Sequence, residues 1–197
     1  MSEINGTSMR DRILQEATRL LVRSGYDGIA MREIADACGI SKAGLYYHFT
    51  DKEALFLAIL DQSLDTLGGI IHEAAQQAGG AREQLAFFVR AIFTHLSSDQ
   101  RTLIRLAGQE MGKLTPTVRE QFAQRYYNEF VGGLAGMIEQ GIRAGTFRPA
   151  HPQTAAWVLL GMMYPFFSQG SEPRTEPGGG VVEFILAVFI RGMQPDR

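Results

Sequence analysis

Met31, Ile34, Ala35 and Cys38 fall at i, i+3, i+4 and i+7, which predicts one apolar stripe on a helix of about two turns. A helix that short cannot hold itself in water, because fixing its first turn costs more backbone entropy than one hydrogen bond returns. It has to share a core with its neighbours in the chain. The connection "CGIS" at 38 to 41 leaves only a short turn with a glycine before the next helix, as a helix-turn-helix requires. Residues 9 to 49 are therefore expected to form one small three-helix unit.

The 3.6-residue period persists along nearly the whole chain and no alternating run argues for a strand, so the fold class expected is all-α. The first helix is expected to start at Ser8 with Asp11 completing a capping box, to bury Ile13, Leu14, Ala17, Leu20 and Leu21, and to end at Gly25. Gly39 ends the second helix and Ser41 caps the third. "TDKE" at 50 to 53 reads as another capping box, opening a long fourth helix toward Gln77. Beyond "AGG" at 78 to 80, two helices are followed by a long one from Thr115 and Pro116 to Gly145. His151 and Pro152 start an apolar helix that Pro165 should kink or end; a polar Pro/Gly loop at 169 to 180 precedes a last apolar helix. About nine helices are expected, with a flexible arm over 1–8, an N-terminal unit over 9–55, a larger helical domain over 56–193 and a tail over 194–197.

Composition narrows the function classes. The single cysteine, Cys38, excludes an internal disulfide framework and a cysteine-rich zinc site, and its apolar surroundings make it a small buried residue. His48, His72, His95 and His151 never stand at metal-binding spacing, so neither a metal nor a cofactor is expected. No Ser/His/Asp, Cys/His or phosphate-cradling motif marks a catalytic residue. No apolar run reaches the roughly 18 residues of a membrane span and the start has no signal-peptide core, so a cytoplasmic protein without a membrane partner is expected. Net charge is −2, and residues 1 to 52 hold seven Lys/Arg (10, 12, 19, 23, 32, 42, 52) against seven Asp/Glu (3, 11, 16, 27, 33, 36, 51). Any DNA binding must then rest on where the cations sit.

On a helical wheel the third helix divides by face. Leu45 and Phe49 lie together with Ile40 entering before them, while Ala43 and Tyr47 lie opposite, flanked by Lys42, Gly44 and Tyr46. Small residues, hydroxyls and a lysine suit a major groove, where the backbone must approach base edges. Gly44 costs ~1 kcal/mol relative to alanine inside a helix and marks close approach by something else.

The stretch "MREIADACGISKAGLYYHFTDKEAL", 25 residues from Met31 to Leu55, resembles the helix-turn-helix of TetR/AcrR-family transcriptional regulators. "AGTFRPAHPQTAA" resembles that family's turn between its seventh and eighth helices. The resemblance implies a homodimeric regulator, most often a repressor, that reads a palindromic operator in double-stranded DNA with one third helix per major groove. By matching position, Lys42, Ala43, Gly44 and Tyr47 would meet bases, while Tyr46, His48 and Lys52 would hold phosphates beside the Ser41 cap. Arg32 would reach a base or a phosphate. The chain departs from the pattern at Ile29 and Ala30, where the family commonly has hydroxyl residues, and at Cys38, where alanine is usual.

The helices over 152–168 and 181–193 are apolar almost all round and must be covered on two sides, which fits a four-helix interface between two subunits. The rest of the larger domain is rich in aromatic residues and methionines. Phe88, Phe122, Tyr126, Phe130, Trp157 and Met162 suit a pocket for an apolar or aromatic effector, with His95, Arg105, Gln109 and Tyr126 as candidate polar anchors. A helical enzyme or small-molecule carrier with an incidental helix-turn-helix is the alternative reading.

Overall fold

The Ser8 hydroxyl accepts the Asp11 N–H at 3.1 Å and the Asp11 carboxylate accepts the Ser8 N–H at 3.3 Å, so helix α1 (Met9–Ser24) opens on a complete capping box. Gly25 ends it at φ +69°, a backbone conformation that side chains disfavour. Helix α2 (Met31–Cys38) opens without a capping hydroxyl at Ala30; the Glu33 carboxylate takes the Ala30 N–H at 2.8 Å instead. Gly39, left-handed at φ +66° and ψ +32°, turns the chain into α3 (Lys42–His48). Ile13, Leu14, Ala17, Leu21, Ile34, Ala35, Cys38, Leu45 and Phe49 are all buried in the core these three helices share. Leu20 is only partly buried.

The computed structural model describes residues 8–167 and 180–195. The expected N-terminal arm, apart from Ser8, and the Pro/Gly loop, apart from Gly180, lie outside the described residues, as do 196 and 197 of the tail.

Helix α4 (Lys52–Ala75) leaves the small unit and runs into the larger domain. Its N-cap is Asp51, whose carboxylate accepts the Ala54 N–H at 2.7 Å, one residue later than the "TDKE" box predicts. Alone among the described helices α4 has the length and composition to cross a membrane. Its apolar residues Leu55, Phe56, Ile59, Leu60, Leu64, Leu67, Ile70 and Ile71 are nevertheless buried in the shared core, the position of a central bundle helix.

Around α4 pack α5 (Ala81–His95), α6 (Ser98–Glu110), α7 (Pro116–Arg125) and α8 (Gly132–Arg143), followed by α9 (Pro152–Met163) and α10 (Val181–Gly192). The long helix expected from Thr115 to Gly145 is interrupted. Residues Tyr126–Val131 form a π-helical turn in which Gly132 N–H donates to the Tyr127 carbonyl, five residues back. Counting α7, this turn and α8 as one rod gives the expected nine helices among the described residues. A Cβ on Gly133 would lie 2.5 Å from Ile71 Cγ2, so this glycine sets how near α8 comes to α4. Pro165 ends α9 as expected, in a single 3-10 turn over Tyr164–Phe166.

Candidate functional site

Helix α3 is anchored by one face and bare on the other. Leu45 is fully buried and Phe49 is 5% exposed, whereas Tyr47 is 87% and Tyr46 40% exposed. Ser41 caps the helix by accepting the Gly44 N–H at 3.0 Å. Lys42 Nζ lies 5.6 Å from the Tyr46 ring centre and Tyr47 stands edge-on to His48 at 5.4 Å, so the outward side chains are held together. Ala43 is exposed, and His48 is partly buried. A Cβ on Gly44 would make only ordinary contacts, 3.4 Å from Ser41 Oγ and 3.8 Å from Ile40 Cβ. Nothing among the described residues requires a glycine there.

The two flanking cations differ. Arg32, at the start of α2, keeps a side chain 83% exposed and only a long 3.9 Å pair with Asp36. Lys52 turns inward instead: its ammonium donates to the Ile29 carbonyl at 2.6 Å and sits 4.5 Å from the Tyr26 ring centre. The Asp51 carboxylate caps the α4 N-terminus by accepting the Ala54 N–H. Lys52, expected at a phosphate, is engaged within the chain in the absence of DNA. Lys52 fastens the turn that launches α2.

That same turn is tied to the larger domain. Asp27 pairs with Lys113, in the 3-10 turn (Met111–Lys113) that follows α6, and the Lys113 hydrogen bond holds the Asp27 carboxyl below its ordinary range. The Glu53 carboxylate accepts the Thr115 N–H from the same region. Deeper in, Arg125 reaches Asp61 on α4 at 2.6 Å, and Asp65 at 3.4 Å. Burial raises the Asp61 pKa by more than the guanidinium lowers it.

Between α4, α6 and α7 lies a cavity of about 30 Å³ lined by Leu60, Ser63, Leu64, Leu67, Leu103, Ile104, Ala107, Phe122 and Tyr126. Tyr126 joins it to an aromatic cluster, with ring centres 6.3 Å from Phe122, 5.4 Å from Phe130 and 6.3 Å from Trp157. The Tyr126 and Tyr164 hydroxyls are 2.7 Å apart, and Phe88 backs Phe130 at 5.9 Å. Burial, then the neighbouring Tyr164, raise the Tyr126 pKa far above that of a free phenol.

The family model described as "Bacterial regulatory proteins, tetR family" matches residues 13–59, and "Tetracyclin repressor-like, C-terminal domain" matches residues 78–166. The chain belongs to the TetR family. It is a DNA-binding transcriptional regulator of that family. The regulator is 28% identical to AibR, solved in complex with isovaleryl coenzyme A and operator DNA, with TM-score 0.74 over 96% of this chain and 100% of that one. It is 25% identical to PfmR from Thermus thermophilus, with TM-score 0.74 over 91% and 95% of the two chains. Its 35% identity to the transcriptional activator FasR of Mycolicibacterium smegmatis covers 47% of this chain and only 42% of that relative.

Within this TetR-family chain, Phe122, Tyr126, Phe130, Phe88 and Trp157 come together in one aromatic cluster, of which Phe122 and Tyr126 line the cavity. The other expected effector residues do not converge on them. His95 and Gln109 are exposed, and His95 borders a separate groove with Phe87 and Arg90. Arg105 on α6 is partly buried with its Nε unpartnered, outside the cavity wall. Met162 lines a different groove between α9 and α10. The aliphatic wall from α4 and α6 escaped sequence reading because its leucines carry the same periodicity as any core helix. Tyr164, just before Pro165, left a visible signal as a tyrosine in an apolar helix end.

Proposed function

We propose that this regulator is a homodimeric repressor whose α3 enters the major groove of a palindromic operator, and that an apolar small molecule in the α4–α6–α7 cavity releases it. The bare face of α3 carries the reading. Lys42, Ala43, Gly44 and Tyr47 are presented to bases, and Ser41, Tyr46 and His48 to the backbone, while Arg32 reaches in from α2. Among the described residues nothing accounts for Gly44, which supports close approach by a partner from outside. AibR is bound to operator DNA in its solved complex, and KstR2 of Rhodococcus jostii, 28% identical over 71% of this chain, is a repressor.

The cavity's wall, apolar but for Ser63 and Tyr126, suits a branched or short aliphatic chain, and AibR holds isovaleryl coenzyme A. Helix α4 supplies both a cavity wall and the base of the DNA-binding unit, and the Asp27–Lys113 and Glu53–Thr115 contacts give the segment between α6 and α7 a second grip on that unit. An effector must favour the DNA-incompetent arrangement for this linkage to act. Dimerisation is supported by α9 and α10, which leave Trp157, Val158, Phe184 and Val188 exposed at 43%, 53%, 68% and 45%. Footprinting of the DNA flanking the protein's own gene tests the reading, with and without isovaleryl coenzyme A and other aliphatic acyl thioesters. A symmetric protected site that acyl thioester clears is expected. Protection without sequence preference would refute it.

A further inference from the structure

We propose that Tyr126 is a displaceable plug: an effector occupies the α4–α6–α7 cavity by swinging the Tyr126 ring aside, which breaks its hydrogen bond to Tyr164. The proposal rests on the reading of that cavity as the effector site. Its volume, about 30 Å³, is an order of magnitude below the roughly 300–1,000 Å³ of small-molecule pockets, so some wall must move. Leu60, Leu64, Leu67 and Leu103 are each at most 3% exposed and belong to the continuous core, where displacement would forfeit packing against several helices.

Tyr126 differs from them in three ways. It is only partly buried, where the leucines are buried, and its ring lies 6.3 Å from that of Trp157 on α9. Its polar tether is one 2.7 Å hydroxyl–hydroxyl bond between two neutral phenols. It is also the first residue of the π-helical turn Tyr126–Val131, which holds one residue more than an α-turn. Each residue advances an α-helix by about 100°, so passing the surplus residue along the turn re-aims Tyr126 without unwinding α7 or α8. The aromatic cluster then carries occupancy of the cavity from α4 to α9 through Tyr164 and Trp157.

Tyr164 does not line the cavity, and that separates a plug from a wall residue. Trp157 is the only tryptophan and lies 6.3 Å from Tyr126, so its emission reports the cluster. The experiment titrates the full-length protein with the apolar probe 1-anilinonaphthalene-8-sulfonate and follows Trp157 emission and probe fluorescence. Tyr126→Phe and Tyr164→Phe each remove the tether while keeping the ring, and each is expected to bind the probe about 2- to 10-fold more tightly than the wild type. Adding Ala107→Leu, which narrows the cavity, should abolish the gain. A change in Tyr126→Phe alone, or no gain in either variant, overturns the plug. A gain in both variants with operator affinity unmoved by the bound probe would leave the plug standing and refute the effector reading.

Discussion

Replacing Lys52 by methionine distinguishes a fastening role from a phosphate contact. In the structure its ammonium donates to the Ile29 carbonyl at 2.6 Å and stacks on Tyr26 at 4.5 Å, while Tyr26 in turn packs on Phe56 at 5.0 Å. A hydrogen bond from a charged donor contributes about 1.5–3 kcal/mol and a cation–π contact about 0.5–1 kcal/mol. Methionine keeps the apolar stem, so the net loss is about 2 kcal/mol, or a melting temperature lower by roughly 4–8 °C for a chain of this size. Thermal melts and operator titrations across a salt series read the two roles separately. Fastening predicts the lower melting temperature with an unchanged salt slope, since no phosphate contact is lost. An unchanged melting temperature with a slope reduced by about 1 would refute the reasoning and restore Lys52 as a phosphate contact.

Gly44→Ala should leave the fold intact or stabilise it by up to about 1 kcal/mol, because the added Cβ meets no close neighbour, while operator affinity falls; an anisotropy titration beside a thermal melt checks both. Arg125→Met removes the cation shared by Asp61, Asp65 and Glu129 and should destabilise by about 0.5–1 kcal/mol in a denaturant titration, as these groups stand more than a third exposed to screening water. Asp61→Asn should be neutral or stabilising at pH 7. The folded pKa of Asp61 is raised, so its favourable protonated form is lost as pH rises through that value, and Asn removes the resulting penalty; melts at pH 4 and pH 7 would converge for the variant relative to the wild type.

The helix-turn-helix was legible because its signals are local. Ser8–Asp11, Gly25, Gly39 and Ser41 act within four residues of where they stand, and the buried stripe from Met31 to Cys38 follows directly from spacing. The bare face of α3 was legible for the same reason, since Tyr47 and Leu45 must diverge on any helix. Lys52 was not, because its partners Tyr26 and Ile29 are more than twenty residues away and a lysine at a helix start looks solvated until the turn beneath it is placed. The π-helical turn also escaped. Phe122, Tyr126 and Phe130 keep a regular spacing of four, and the surplus residue shows only in the Gly132 N–H reaching five residues back. His95, Arg105 and Gln109 were grouped with the aromatic cluster by composition, yet helix orientation spreads them over separate surfaces.

The central claim, that the outward face of α3 reads DNA, is tested most directly by one titration. Wild-type protein and Tyr47→Ala are each titrated against the footprinted operator and a scrambled duplex of equal length, with fluorescence anisotropy as the readout. Tyr47 is 87% exposed and stands edge-on to the His48 ring, so its loss should leave the melting temperature unchanged. The account predicts operator affinity at least about tenfold weaker for Tyr47→Ala, approaching its affinity for the scrambled duplex. Equal operator affinity for the two proteins, or a wild type that binds both duplexes alike, would contradict it.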